Sequence, residues 1–210
     1  MKKTLFHLTA CMALFTVSTL HAQEIEVYYA ALGVGAYSVE YTESRATGGL
    51  SVQASSMPAG LIKIGVDAEL WGAELRLGAV SSATSSPFAI GTLGSATPFT
   101  LKIQASPFLS YLGKLQYPIS DAMKVYVLLG GTMANFSINP SGTTVLLNSS
   151  ATKTGFTYGL GAEFKPYSDF SVGVEWIQYW TNVDMSVSAA GRSRASFGGL
   201  NISINKFFDF

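Results

Sequence analysis

Charged side chains are scarce in this sequence, 12% of 210 residues, and it holds a single cysteine, Cys11, and two histidines, His7 and His21. All three lie in a segment with its own character. Met1-Lys2-Lys3 is positive, Leu5–Leu20 is apolar, and His21-Ala22-Gln23 follows, the order of a secretory signal peptide cut after Ala22. The apolar stretch is broken by His7 and by Thr and Ser, and falls short of the ~20 residues of a spanning helix. Leu8-Thr9-Ala10-Cys11 offers a competing lipoprotein signal, with too little apolar sequence before the cut. Removal of residues 1–22 is expected to leave one domain, residues 23–210, without cysteine or histidine. That excludes disulfides, a thiol nucleophile, a Ser-His-Asp triad and a His- or Cys-ligated metal. No catalytic residue, metal or cofactor is expected. Losing Lys2 and Lys3 leaves eleven of thirteen Lys and Arg against thirteen acids, a net charge of about −2. That balance argues against a nucleic-acid partner.

The domain also lacks any apolar run of 18 residues, so no helix of it is expected to cross a bilayer. Yet mean hydropathy is positive, unusual for a soluble exported chain. Alternation resolves the conflict. In Leu61–Val80, Ile62, Ile64, Val66, Ala68 and Leu70 alternate with Lys63, Gly65, Asp67 and Glu69; after Trp71-Gly72, Ala73, Leu75, Leu77 and Ala79 alternate with Glu74, Arg76 and Gly78. Period two over this length predicts a β-hairpin. The pattern recurs, predicting eight strands that begin with Val27–Tyr41 and end with Ala195–Phe210. From Phe99 to Tyr117 the odd positions are mostly apolar and the even ones mostly polar, with a bulge or break expected at Pro107. Connections alternate between short turns, near 69–72, 118–123 and 166–169, and long polar loops, 42–60, 81–98, 139–152 and 181–194. The predicted class is all-β: an eight-stranded antiparallel up-and-down transmembrane barrel with short periplasmic turns, long extracellular loops and both termini periplasmic. Aromatics near strand ends are read as interfacial girdles, with Trp71, Tyr117, Phe164, Tyr167 and Phe208 on the turn side and Tyr41, Phe99, Phe156, Tyr179 and Trp180 on the loop side.

Turning the hairpin over would place several charges in lipid at ~2–4 kcal/mol for each basic residue. The charges are therefore expected inside. The expected interior set is Lys63, Asp67, Glu74, Arg76, Lys102, Lys114, Glu163, Lys165 and Glu175, with Arg76 at the centre beside Glu74, Glu163 and Glu175. An eight-stranded barrel is just wide enough for side chains to fill, so a polar plug is favoured over a narrow conduit. Asp67 and Glu69 could be read as an acid–base pair, but their spacing suits salt-bridge partners better. Gly33-Val-Gly35 lacks the third glycine of a dinucleotide fingerprint.

The signal peptide, the hairpin Gly65-Val-Asp-Ala-Glu-Leu-Trp-Gly-Ala-Glu-Leu-Arg-Leu-Gly, Tyr158-Gly-Leu-Gly-Ala-Glu-Phe and the aromatic end at Phe210 make the chain resemble the small outer-membrane barrels of the OmpX and OmpA-transmembrane-domain type. The resemblance spans residues 23–210 and implies Gram-negative outer-membrane localisation. It also implies recognition by the barrel-assembly machinery through Ile202, Ile204, Phe208 and Phe210. Lys206 departs from it, sitting in the apolar phase of the last strand. Outer-membrane lipid and lipopolysaccharide are the expected surroundings, with Arg192 and Arg194 as candidate headgroup contacts. A host or surface ligand would be met by loops 42–60, 81–98, 139–152 and 181–194. The expected role is structural or one of surface interaction, such as adhesion or envelope integrity. The alternatives are a narrow porin-like channel and a soluble periplasmic β-barrel binder.

Overall fold

The computed structural model describes residues 27–68, 70–167, 169–185 and 191–208. The expected signal peptide and Phe210 lie outside the described residues. Strands β1 (Val27–Arg45), β2 (Gly48–Asp67), β3 (Trp71–Val80), the two-residue β4 (Ala83–Thr84), β5 (Thr100–Ser120), β6 (Met123–Ser141), β7 (Ser149–Tyr167), β8 (Phe170–Asp184) and β9 (Gly191–Phe208) form one antiparallel sheet. Its order is β3-β2-β1-β9-β8-β7-β6-β5, and β3 pairs with β5 from Trp71↔Leu115 to Gly78↔Phe108, which closes eight long strands into a ring. Among the described residues no helix is long and apolar enough to cross a membrane.

In the half of the ring nearer the short turns, aliphatic residues point outward. Leu32, Val34, Ile62, Ile64, Leu75, Leu77, Leu115, Val127, Leu160, Val174, Ile202 and Ile204 are all exposed, Leu32 by 68%. On β1 this belt runs from Tyr28 to Ala36, roughly 20 Å along the membrane normal for a tilted strand. Above it the outer face turns polar. Ser38, Glu40, Thr42 and Ser44 follow on β1, Thr154, Thr152 and Ser150 on β7, and Ser196, Arg194 and Arg192 on β9.

Here the ring also splits. The β2–β3 register ends at Ala59↔Val80, β3–β5 at Gly78↔Phe108 and β7–β8 at Tyr158↔Gln178, while β1–β2, β1–β9, β5–β6, β6–β7 and β8–β9 stay paired and β4 takes the place of β3 beside β5. Two sheets rise above the belt, β2-β1-β9-β8 and β4-β5-β6-β7, with apolar faces toward each other in the manner of a β-sandwich. Tyr37, Val39, Leu50, Val52, Leu101, Ile103, Phe136, Trp180 and Phe197 fill the space between them. Across this head, Tyr41 stacks on Phe136 at 5.9 Å and Phe108 meets Phe197 at 5.8 Å. Residues 81–99 cover the β2 edge: Ser81 N–H donates to the Pro58 carbonyl at 2.9 Å, and Leu93 is buried in the core.

Bulges prepare the change of environment. β2 carries one extra residue opposite Tyr37–Val39, with Ser56 at φ 58°; β5 carries one between Ala105 and Phe108; β8 carries two between Gln178 and Val183. An extra residue moves every side chain beyond it to the other face. This corrects three expectations. Lys102 is exposed on the outside, because the Pro107 bulge turns Leu101, Ile103 and Ala105 inward. Of the expected loop-side girdle only Phe156 points out; Tyr41, Phe99, Tyr179 and Trp180 are buried in the head. Most of 42–60, and much of 139–152 and 181–194, is strand rather than loop. The β1–β2 turn is only residues 46–47, and 81–98 remains largely irregular. Polar residues there alternate with Leu50, Val52 and Ala54, the pattern of a strand whose outer face meets water.

Candidate functional site

The interior has three storeys. In the belt half, the even positions of β3, β5 and β6 and the odd ones of β1, β2, β7, β8 and β9 face the axis, and the charges among them converge. Arg76 is fully buried; its Nη1 donates to Glu175 Oε1 at 2.5 Å, its Nη2 to Glu175 Oε2 at 3.0 Å, and its Nε to Glu74 Oε2 at 2.7 Å. Lys63 donates to Glu175 at 3.0 Å and to Ser203 at 3.2 Å, and the Tyr126 hydroxyl donates to Glu175 Oε2 at 3.1 Å. Tyr29 donates its hydroxyl proton to Glu74. Nearer the turns, Lys114 and Lys124 each lie 2.5 Å from Asp67, and Lys124 is 3.4 Å from Glu163. Lys114 also sits 4.9 Å above the Tyr29 ring and 5.4 Å from that of Tyr126. Four cations, Lys63, Arg76, Lys114 and Lys124, thus meet four carboxylates, Asp67, Glu74, Glu163 and Glu175. Pairing of this kind is what makes buried charge tolerable.

Sequence reasoning missed Lys124, which stands in the same phase as Tyr126 and Leu128. Lys165 shares the Glu163 phase, yet it lies at the turn end, 4.4 Å above the Phe207 ring and apart from the Arg76 cluster. Glu163 reaches Lys124 rather than Arg76. Among the described residues no group of three or more His, Cys, Asp or Glu could hold a metal ion.

The middle storey is a line of hydroxyls. Ser110 and Thr132 are 2.7 Å apart, as are Thr132 and Thr157, and Thr157 Oγ1 donates to the Tyr179 carbonyl at 3.0 Å. Above it the aromatic core crosses the bore. Phe108 lies 4.7 Å from Tyr179, which lies 5.3 Å from Phe197, and Trp180 meets Phe197 edge-on at 5.2 Å. Two glycines make room for these rings: a Cβ on Gly78 would come within 2.3 Å of Phe108, and one on Gly155 within 2.6 Å of Trp180.

At the top, the two sheets part around a cleft of about 370 Å³. Tyr41, Glu43, Arg45, Met185 and Ser193 line one side, and Phe136, Ile138 and Val145–Ser149 the other. Glu43 is 7% exposed; it accepts the Tyr41 hydroxyl proton at 2.5 Å and the Arg45 Nε proton at 2.7 Å. Tyr41 lies above the belt, and burial together with the Glu43 carboxylate raises its pKa, so it remains a donor. Arg45 reaches across the cleft to the Val145 carbonyl at 2.9 Å.

Ile202, Ile204 and Phe208 point outward on β9, and Lys206 bonds Asp169 at 2.9 Å. Arg192 and Arg194 stand on the outer face opposite Ser44 and Thr42. Arg194 is six residues beyond Leu200, roughly 15 Å above the belt for a tilted strand.

The model of the outer membrane protein beta-barrel domain matches residues 7–205. No curated protein matches the sequence. Among solved structures, the outer membrane protein OprG from Pseudomonas aeruginosa superposes with a TM-score of 0.54 at 10% identity, over 90% of this chain and 100% of that one. Neisserial surface protein A superposes with a TM-score of 0.51 at 11% identity, over 86% of this chain and 97% of that one. At such identities the likeness is one of fold. With a closed ring, a lipid-facing belt and a family model matched along nearly its whole length, the chain belongs to the outer-membrane β-barrel domain family.

Proposed function

We propose that the protein is a non-conducting, non-enzymatic surface protein of the outer membrane, whose work is done by the β-sandwich head above the membrane. The observation that carries this reading is the packing of the bore. A charge-balanced ionic layer lies across it at membrane depth and an aromatic core crosses it above, and this filling of the bore by side chains supports a closed barrel. The absence of histidine and cysteine from residues 23–210, and the engagement of all four interior carboxylates by cations, support a non-enzymatic role. The short turns at one end and the polar head at the other support a head outside the cell and termini in the periplasm. Outer-membrane lipid packs against the belt. The terminal strand, with Ile202, Ile204, Phe208 and Phe210, is the segment we assign to recognition by the assembly machinery. Arg192 and Arg194 are assigned to the saccharide layer of lipopolysaccharide and its phosphates.

Planar-bilayer recording tests the reading. The expected result is a silent membrane; steady, ion-selective openings would establish the channel instead. A cysteine placed at residue 46 and labelled on intact cells by an impermeant maleimide fixes orientation, and labelling only after lysis would reverse it.

A further inference from the structure

The cleft at the top of the head is built differently from the rest of the interior, and the difference points to a ligand. Below it, side chains meet in the centre of the bore. Here Ile138, Leu146 and Met185, at the upper end of the buried core, line a cavity of about 370 Å³. That volume lies in the lower part of the ~300–1,000 Å³ range of small-molecule sites, which combine apolar walls with a few placed polar groups. The polar groups are asymmetric. Glu43 lies beneath, its two oxygens engaged by Tyr41 and Arg45, while Arg45 is the more exposed partner, 27% against 7%. A guanidinium carries five N–H donors; Glu43 takes the one on Nε and the Val145 carbonyl one on Nη1. The polar group nearest an incoming molecule at the rim is therefore the Arg45 guanidinium, paired with Glu43 beneath it, and the cavity also has apolar walls.

We propose that this cleft binds a monoanionic amphiphile, a short acyl or aryl chain ending in a carboxylate. Its chain lies on Ile138, Leu146 and Met185, and its head accepts charge-assisted hydrogen bonds from Arg45. The amphiphile comes from the aqueous side, because Tyr41–Arg45 stand five to nine residues above the belt edge at Ala36, out of reach of a membrane acyl chain. The assignment rests on reading the head as an interaction module, but it is read by a different measurement from conductance, so either can fail alone.

The test uses the full barrel in lipid nanodiscs with ¹³C-methyl methionine. Met185 lines the cleft, while Met123 and Met133 are exposed on the outer face of the ring and report nonspecific binding there. Octanoate is expected to shift the Met185 methyl saturably while Met123 and Met133 follow only the nonspecific trend. Octyltrimethylammonium should act at least about tenfold more weakly, a difference of about 1.4 kcal/mol, because its head cannot accept hydrogen bonds from Arg45. The double variant Glu43→Gln/Arg45→Gln, which leaves no unpaired buried carboxylate, should erase that preference. Ile138→Trp, which fills the cavity, should abolish the saturable shift. Retention of heat-modifiable gel mobility confirms that each variant is folded. The proposal is overturned if Met185 shifts no more than Met123 and Met133, if both surfactants act equally on the native protein, or if the saturable shift survives in folded Ile138→Trp.

Discussion

Lys63 and Lys102 are the same residue type, each between aliphatic neighbours, yet Lys63 is buried against Glu175 and Lys102 is exposed. Environment, not identity, sets what each is worth. Arg76 stands at the extreme: it is fully buried and bonded to both Glu74 and Glu175. Arg76→Ala would strand two carboxylates in the interior, and removing one member of such a group costs about 3–5 kcal/mol. Lys102→Ala should stay within about 0.5 kcal/mol of the native protein. Urea unfolding in lipid vesicles measures both; equal effects would contradict the phase change at Pro107. The ionic residues at 63, 67, 74, 76, 114, 163 and 175 were legible in the sequence, because a single phase leads straight to each of them. Lys102 was not, because a bulge leaves no mark on polarity.

Among the elements, β2 and β5 show how a strand can serve two environments. Below its bulge β2 points Lys63 and Asp67 inward and Ile62 and Ile64 into lipid; above it, Leu50 and Val52 point inward and Ser51 and Gln53 outward. Deleting Ser56 removes the extra residue and returns Leu50 and Val52 to the outside. The expected outcome is a head cut readily by protease while the membrane ring keeps its heat-modifiable mobility. Loss of both together would mean that head and ring fold as one unit. On β1, which has no bulge, the sequence changes composition instead, from Leu32 and Val34 to Glu40 and Thr42 on one face. Leu32→Arg should therefore cost about 2–4 kcal/mol near the midplane and Glu40→Arg almost nothing, again by vesicle unfolding.

At the scale of the whole molecule, the three tryptophans mark the two environments. Trp71 and Trp176 look outward in the belt, and Trp180 is buried in the head. In single-tryptophan variants reconstituted in brominated lipid, strong quenching is expected for Trp71 and Trp176 and little for Trp180. Quenching of Trp180 like the others would place the head within the bilayer. The exposed belt also overturns the soluble periplasmic binder, since burial of Leu32, Ile64 and Ile202 needs lipid around the ring.

Alternation by itself determined the strands, their number and the inward turn of most of the ionic residues, because period two separates the faces and charge in lipid is too costly to allow the reverse. The tertiary structure alone decided that the upper bore is greasy and the upper wall wet. A polarity pattern defines two faces but does not say which one meets water once the bilayer ends, and only the lateral pairing of strands shows where the ring parts into two sheets.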